Sequence, residues 1–539
     1  MPKTTEATKP AKQPAPARDH AATESLVERH FLARRGRPMR FEPAERIPIV
    51  VADDFPTLGR MTALRFLEWV QQNPEGVISL PTGKTPEHFI RWTRHYLDNW
   101  SKKAAKDELA EIGLPAKKPE LRGLRFVQID EFYPIDPTQT NSFHYYVTRH
   151  YIRGFGLDPK RALLIDPCSI GLKEGESLED VFPGRAVDLS LRSRPTTSAL
   201  EERQLALITA VDQFCSDYEA AIREMGGIGF FLGGIGPDGH IGFNPRGSHH
   251  FSPTRLTYTN YETEAAAAGD LGGIEVARGK PVITIGLGTI TAKPDATIII
   301  FAAGDAKAPM VAGAVRNPKS VLYPASCLQG LANARFYLTP GACLRLEERQ
   351  LDDVLRMEKI DDRLLERAIV DRAEALDMRL DQMRPGDERG DALLAAVLQK
   401  TGRDVREAAG WARERLLQKI ERGLQTPDNE VILHTGTTTS CWATCPTSCT
   451  SCAAPGTRTT SRCSRRASPR SRTSSWRRSS ATWWSGCARA STTRTRATAP
   501  SSRATRPPAR RKSTATWMAS PRATTAPAAA PRPAAASTT

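Results

Sequence analysis

A short apolar run, Ile228–Leu232, passes directly into Gly233-Gly234-Ile235-Gly236-Pro237-Asp238-Gly239-His240-Ile241-Gly242-Phe243-Asn244. The apolar run reads as a buried strand bounded by glycines. Four glycines within residues 233–239 let the backbone turn sharply and come close to a ligand, which side chains would prevent. Asp238 and His240 stand two residues apart in that loop. A carboxylate there neighbours the one side chain that titrates near neutral pH. A lone Asp-Gly-His would be an ordinary turn; this glycine density directly after a strand makes the segment an active-site loop.

The same arrangement recurs along the chain. Arg46–Ala52 reads as a strand and Phe55–Gln72 as an amphipathic helix. A second strand, Val77–Leu80, runs into Pro81-Thr82-Gly83-Lys84-Thr85-Pro86, and a helix follows to about Trp100 with Pro86 in its first turn. Thr82, Gly83, Lys84 and Thr85 offer N–H groups, hydroxyls and a cation at a helix start, which suits a phosphate. The glycine of a Walker loop is missing, so nucleotide hydrolysis is not expected. Leu124–Ile129 is a third strand and ends in Asp130-Glu131, at the strand end where open α/β sheets bind ligands. Ser142–Tyr151 looks helical, Ala162–Ile165 is a short strand, and Ile170–Thr197 reads as an irregular insertion. Ala199–Met225 is a long helix leading into the first loop described. Pro245–Gly273 lacks clear periodicity, as a mobile lid would. Pro281–Gly286, Ala296–Ala302 and Ala334–Leu338 complete the strands, and Lys307 stands at the start of the helix after the second of these. Strands alternating with helices predict a Rossmann-like α/β fold with a mostly parallel sheet and flanking helices, followed by a helical extension and a disordered tail.

The expected organisation is a disordered leader and N-terminal segment (1–45), an α/β domain (46–345) and a helical linker or extension (346–428). The start of a truncated second α/β domain (429–436) and a tail (437–539) follow. Met1–His20 has no apolar core and reads as a leader rather than a secretory signal. No apolar run reaches the length of a membrane span. The chain of 539 residues carries a formal charge of +16, which would suggest a nucleic-acid partner. Its location argues otherwise: residues 437–539 hold 18 Lys and Arg and no Asp or Glu, leaving the remainder nearly neutral. Cys168, Cys215, Cys327 and Cys343 lack metal spacing and read as reduced core residues.

The tail has no Val, Ile, Leu, Phe or Tyr and cannot bury a core. Cys441, Cys445, Cys449 and Cys452 invite a zinc reading, but the Ser, Thr, Arg, Ala, Pro and Trp around them are what GC-rich codons give when read out of frame. Read from the third codon base, Thr437–Cys452 permits His-His-Asp-Ile-Met-Leu-Gly-Tyr-Leu. A frameshift near Gly436 is therefore expected, and gene sequencing tests it.

Four motifs in order carry a family resemblance over about residues 46–345: Leu80–Pro86, Ile129-Asp130-Glu131-Phe132, Gly233–Asn244 and Ser326-Cys327-Leu328-Gln329. They resemble the glucosamine-6-phosphate deaminase and 6-phosphogluconolactonase superfamily, and Gly-His-Ile-Gly-Phe-Asn favours its deaminase branch. The resemblance implies a cytoplasmic enzyme that isomerises and deaminates an amino-sugar phosphate, converting glucosamine 6-phosphate to fructose 6-phosphate and ammonia without a cofactor. It implies that Asp130 moves a proton between C2 and C1, that His240 opens the ring and that Asp238 orients His240. Thr82, Gly83, Lys84, Thr85 and Lys307 would hold the phosphate. A small-molecule sugar phosphate is the implied partner, with no specific nucleic acid and no membrane; a homo-oligomer is compatible. Two family features are absent: Pro245 stands where the deaminases have Glu, and residues 264–270 offer no lid Arg. The alternatives are a 6-phosphogluconolactonase-type hydrolase, in which His240 activates water, and a non-catalytic sugar-phosphate sensor. Ile432–Gly436 with the shifted His-His-Asp also resembles the opening of PIG-L/LmbE-like deacetylases. Their ligands are missing from this chain, so no metal site is carried over.

Overall fold

The computed structural model describes residues 23–271 and 273–425. The segments read above as a truncated second domain, an out-of-frame tail and the first part of the leader lie outside these residues.

Ten strands define the frame: β1 (Ile49–Val51), β2 (Val77–Ser79), β3 (Arg125–Val127), β4 (Asp130–Phe132), β5 (Ala162–Leu163), β6 (Phe230–Gly234), β7 (Arg255–Tyr258), β8 (Pro281–Thr284), β9 (Thr297–Ala302) and β10 (Ala334–Leu338). Seven of them pair in parallel in the order β1-β10-β9-β6-β2-β3-β5. Helices cover both faces, so central strands are apolar throughout rather than alternating. In β9, Ile298 and Ile300 enter one core while Ile299 and Phe301 enter the other. The first core receives Leu207, Ile208, Val211 and Cys215 of the helix Ala199–Glu224; the second receives Leu58 to Val70 of the helix Phe55–Gln72. Each fully buried large apolar side chain contributes about 1.5–3 kcal/mol relative to exposure. The expected parallel α/β sheet is present.

The chain moves from β2 outward through β3 to β5, then returns to the other side of β2 with β6. The order reverses between β2 and β6, and the strand ends diverge there to leave a crevice. The cradle loop follows β2 and the Asp-Gly-His loop follows β6, so the topology puts the two motifs side by side.

Several local expectations are corrected. Asp130 and Glu131 do not end the third strand: that strand stops at Val127, and they form β4, the edge of a second, antiparallel sheet in the order β4-β8-β7. Segment 245–273, which shows no clear period in the sequence, nonetheless contains β7 and the helix Tyr261–Leu271. Only Leu256 of β7 is buried, with Arg255, Thr257 and Tyr258 more exposed, so one apolar residue in four left no period to read. Pro86 caps the helix Glu87–Asn99 rather than entering its first turn. The helix Phe143–Val147 passes into a wider π turn, Thr148–Arg153.

Within the described residues, the N-terminal segment 23–45 packs on the α/β domain. Ser25 caps the helix Leu26–Arg35, which buries Val27, Phe31 and Leu32 in the second core. Its Glu28, 2 % exposed, accepts from Tyr337 Oη at 2.8 Å and from Arg335 Nε at 3.3 Å, both on β10. Alternation of charge with apolar residues in Leu26–Arg35 resembles a solvated face; the paired glutamate is what lets it pack inward. At the other end, helices Glu347–Arg356, Asp362–Ala375, Ala392–Thr401 and Val405–Gln425 enclose a separate core that includes Leu365, Ile369, Leu394 and Val397.

Candidate active site

The loop after β6 is shaped by close approach. Gly236 donates its N–H to the His240 carbonyl at 2.9 Å, and a Cβ at Gly236 would stand 2.0 Å from His240 Cε1. Only glycine leaves room for the imidazole there. Gly239 (φ +85°) and Gly242 (φ +56°) take left-handed conformations on either side of the histidine.

His240 Nδ1 lies 2.5 Å from Asp238 Oδ1, which leaves Nε2 as the ring nitrogen outside this pair. The Asp238 side chain is fully buried. Its other oxygen accepts from Arg246 N at 3.1 Å and from Asn260 Nδ2 at 2.6 Å. Burial would raise this carboxyl, but the His240 hydrogen bond and charge, with these two further donors, hold it well below the usual carboxylate range. Asp238 is thus a permanent anion that orients an imidazole. Phe243 stacks on the other side of the ring, with centroids 5.6 Å apart and planes at 17°.

Asp130 and Glu131 project from adjacent positions of β4, and so to opposite faces. Glu131 is fully buried and accepts from Phe132 N, Ser142 Oγ, Phe143 N and His144 N at 2.6–3.1 Å. It holds the start of the helix Phe143–Val147. Burial pushes its carboxyl up to about 7 against the pull of those donors. Asp130, 5 % exposed, has no such donors among the described residues; burial first and the Glu131 charge second keep it well above the ordinary value. A carboxyl so placed is a stronger base near neutral pH than an exposed aspartate.

The cradle is held from behind: Tyr146 Oη donates to the Gly83 carbonyl at 2.9 Å, and Tyr151 Oη donates to that of Pro81. Gly83 has φ +86° with nothing near its missing Cβ. Lys307 lies in the turn Asp305–Lys307 after β9; burial lowers its ammonium, and the Asp238 charge opposes that.

Seven of the eight residues singled out in the sequence line one cavity of about 320 Å³: Thr82, Gly83, Lys84, Thr85, Asp130, His240 and Lys307. The eighth, Asp238, lies behind His240. Phe132, Phe143 and Phe243 form an apolar wall, and Thr263 and Ala266 of the helix Tyr261–Leu271 also border the cavity. A larger cavity, about 500 Å³, lies beside Asp136, Glu176, Arg185 and Cys168, which is exposed there and not in the core where Cys215, Cys327 and Cys343 lie as expected. It is walled partly by the insertion and receives none of the eight residues, so chemistry and not volume identifies the site. Among the described residues, no cluster of His, Cys, Asp or Glu is spaced for a metal ion, and no helix is long and apolar enough to cross a membrane.

Asn260 and Thr263 were not singled out in the sequence. Asn260-x-x-Thr263 has the form of a helix cap, and Asn260 Oδ1 does accept from Thr263 N at 3.0 Å. Nothing local signals that the same side chain also reaches Asp238.

A cleft at a reversal of strand order, lined by a carboxylate, an Asp–His pair and the Thr82–Thr85 loop, has the form of an enzyme site of the α/β class. Within that class the chain has homologues among the glucosamine-6-phosphate deaminases. That of Bacillus velezensis is 28% identical over 280 residues, 52% of this chain and 92% of the relative. That of Drosophila melanogaster is 25% identical over 270 residues, 50% of this chain and 78% of the relative. Among solved structures, a monomeric glucosamine-6-phosphate deaminase matches at 22% identity and a TM-score of 0.41, covering 55% of this chain and 99% of the other. The 6-phosphogluconolactonase of Leishmania guyanensis matches at 15% identity and a TM-score of 0.36, covering 55% and 96%. No family profile matches the chain.

Proposed function

We propose that the chain is a glucosamine-6-phosphate deaminase-like enzyme that acts on an amino-sugar phosphate in the cytoplasm, where the phosphate's charge retains the substrate. One observation carries the reading: Asp130 and the Asp238-backed His240 border the same cavity of about 320 Å³ as the Thr82–Thr85 cradle and Lys307. The homology to deaminases supports it independently.

The chemistry follows from the residues. Thr82 to Thr85 and Lys307 hold the phosphate, and that remote binding energy fixes the sugar over the acid–base groups. His240 Nε2 carries a proton from the C1 hydroxyl to the ring oxygen and opens the pyranose. Asp130 then removes the proton on C2 and returns it to C1, converting the aldehyde and amine into a C2 iminium through an enolamine. Water adds at C2 and ammonia leaves, giving the ketose phosphate. The proton transfers are internal, water and ammonia balance, and no redox step arises. The phenylalanine wall excludes bulk water from the enolamine.

The test is a coupled ammonia assay on the full chain with glucosamine 6-phosphate. Ammonia and fructose 6-phosphate in equal amounts are expected, with Asp130→Asn lowering kcat by about 10²-fold or more. Hydrolysis of 6-phosphogluconolactone with no ammonia from the amino sugar would overturn the reading in favour of a lactonase.

A further inference from the structure

We propose that the helix Tyr261–Leu271 belongs to the acid–base apparatus, and that Asn260 and Thr263 are positioning residues that set the orientation and tautomer of His240. The proposal rests on the reading of His240 as the ring-opening group.

The two oxygens of Asp238 serve different elements. Oδ1 meets His240 Nδ1 at 2.5 Å, whereas Oδ2 receives Asn260 Nδ2 at 2.6 Å. The Asn260 side chain is shared in turn: its Oδ1 accepts from Thr263 N at 3.0 Å, and its backbone carbonyl accepts from Glu264 N at 2.9 Å. One amide therefore starts the helix and grips the catalytic carboxylate. Thr263, 4 % exposed, brings Oγ1 to 3.2 Å from His240 Nδ1. Nδ1–H can be shared between Asp238 and Thr263, while Nε2 keeps its lone pair for the substrate. Phe243 closes the ring's face, so rotation of the imidazole would have to break three contacts together.

The consequence is a coupling. Asn260 and Thr263 stand twenty-two and twenty-three residues beyond their partners, on a segment between β7 and β8 whose helix lines the cavity through Thr263 and Ala266. Seating this helix over the cavity and fixing His240 are one event, because both use the same two side chains. If the helix is displaced, Asp238 loses its amide donor and His240 its second Nδ1 partner. The charged groups that share the cavity with His240 are Asp130, Lys84 and Lys307, with Asp238 behind the ring. None of these comes from the helix, so its influence on the imidazole runs through hydrogen bonds rather than charge.

The variants Thr263→Val, Thr263→Ser, Asn260→Ala and Asn260→Asp separate the roles. Asp still caps the helix but cannot donate to Asp238. Thr263→Val and Asn260→Asp are expected to lower kcat on the order of tenfold, a fraction of the roughly 10⁴ that a wrong imidazole tautomer costs a serine protease, with KM little changed. Thr263→Ser is expected to restore wild-type kcat. A second readout does not need turnover: in the full chain, the hydrogen-bonded His240 Nδ1–H gives a far-downfield proton resonance, assigned by its loss in His240→Gln. That resonance is expected to survive in Thr263→Ser and to broaden or vanish in Thr263→Val and Asn260→Asp. An unchanged resonance in both would overturn the proposal, as would Asn260→Asp behaving as wild type while Asn260→Ala merely lowers the melting temperature. Absence of ammonia release by wild type with the resonance pattern as expected would sink the deaminase reading and leave the positioning role standing.

Discussion

At the scale of single residues, two adjacent carboxylates differ because of what each can reach. Glu131 finds four donors and Asp130 none among the described residues, so burial raises both but only Glu131 is pulled back, to about 7. The sign for stability is opposite to that of a salt-bridged aspartate. A native carboxyl raised above its unfolded value holds its proton longer than the unfolded chain does. Its contribution is therefore largest below the unfolded value near 4.5 and is lost as pH rises to about 7 for Glu131. For activity the dependence reverses, since the base must be ionised. The acid limb of kcat/KM should fall well above the ordinary aspartate range, and Glu131→Gln, which removes the neighbouring charge, should move it to lower pH. A limb that stays in place in that variant would mean that Asp130 is not the titrating base. The Asp238–His240 pair was readable in the sequence because two residues of a tight glycine turn are fixed by local backbone geometry. The Asn260 contact was not, because its partner is twenty-two residues away across a fold.

At the scale of elements, each suspect loop follows a parallel strand, and helices behind it hold it in place. The cradle is the clearest instance: Tyr146 reaches from the helix Phe143–Val147, whose start is itself fixed by Glu131, to the carbonyl of Gly83. Removing that hydroxyl frees a loop carbonyl worth about 1 kcal/mol. Tyr146→Phe should raise KM for the phosphorylated substrate about fivefold and leave kcat within about twofold. An unchanged KM would remove the loop from the phosphate site. Strongly apolar strands such as β9 were evident from their composition, since burial on both faces demands it. β4 and β7 were not. β4 contains two acidic residues in three, which reads as a solvated loop, and becomes a strand only because β8 supplies its hydrogen bonds.

At the scale of the whole molecule, a buried ion pair ties together segments some three hundred positions apart. Arg349 Nε and Nη2 meet Glu45 at 2.6 and 2.7 Å, and Nη2 also donates to the Met39 carbonyl at 2.8 Å. Both side chains are at most 6 % exposed. This links the segment before β1 to the first helix of the C-terminal group. Breaking such a pair leaves a buried charge uncompensated, at a cost of about 3–5 kcal/mol. Glu45→Ala should lower the melting temperature markedly, and Glu45→Leu combined with Arg349→Met should recover most of it. A double variant no more stable than the single one would show that the pair is not the determinant. Residues 23–45 are not the disordered stretch expected, and for this reason: the partner that holds Glu45 lies some three hundred positions later.

The sequence by itself determined the α/β class, the glycine turn with its Asp238–His240 pair and the Thr82–Thr85 loop. Each of these depends on spacing within one strand and the turn that follows, which backbone sterics and apolar periodicity fix locally. Tertiary structure decided which loops meet. The reversal of strand order between β2 and β6 brought the cradle to the Asp–His loop. A second sheet carried Asp130 to the same cavity, and one asparagine joined a covering helix to the catalytic carboxylate. Contacts of that kind follow from the packing of elements distant in the chain, and no local pattern encodes them.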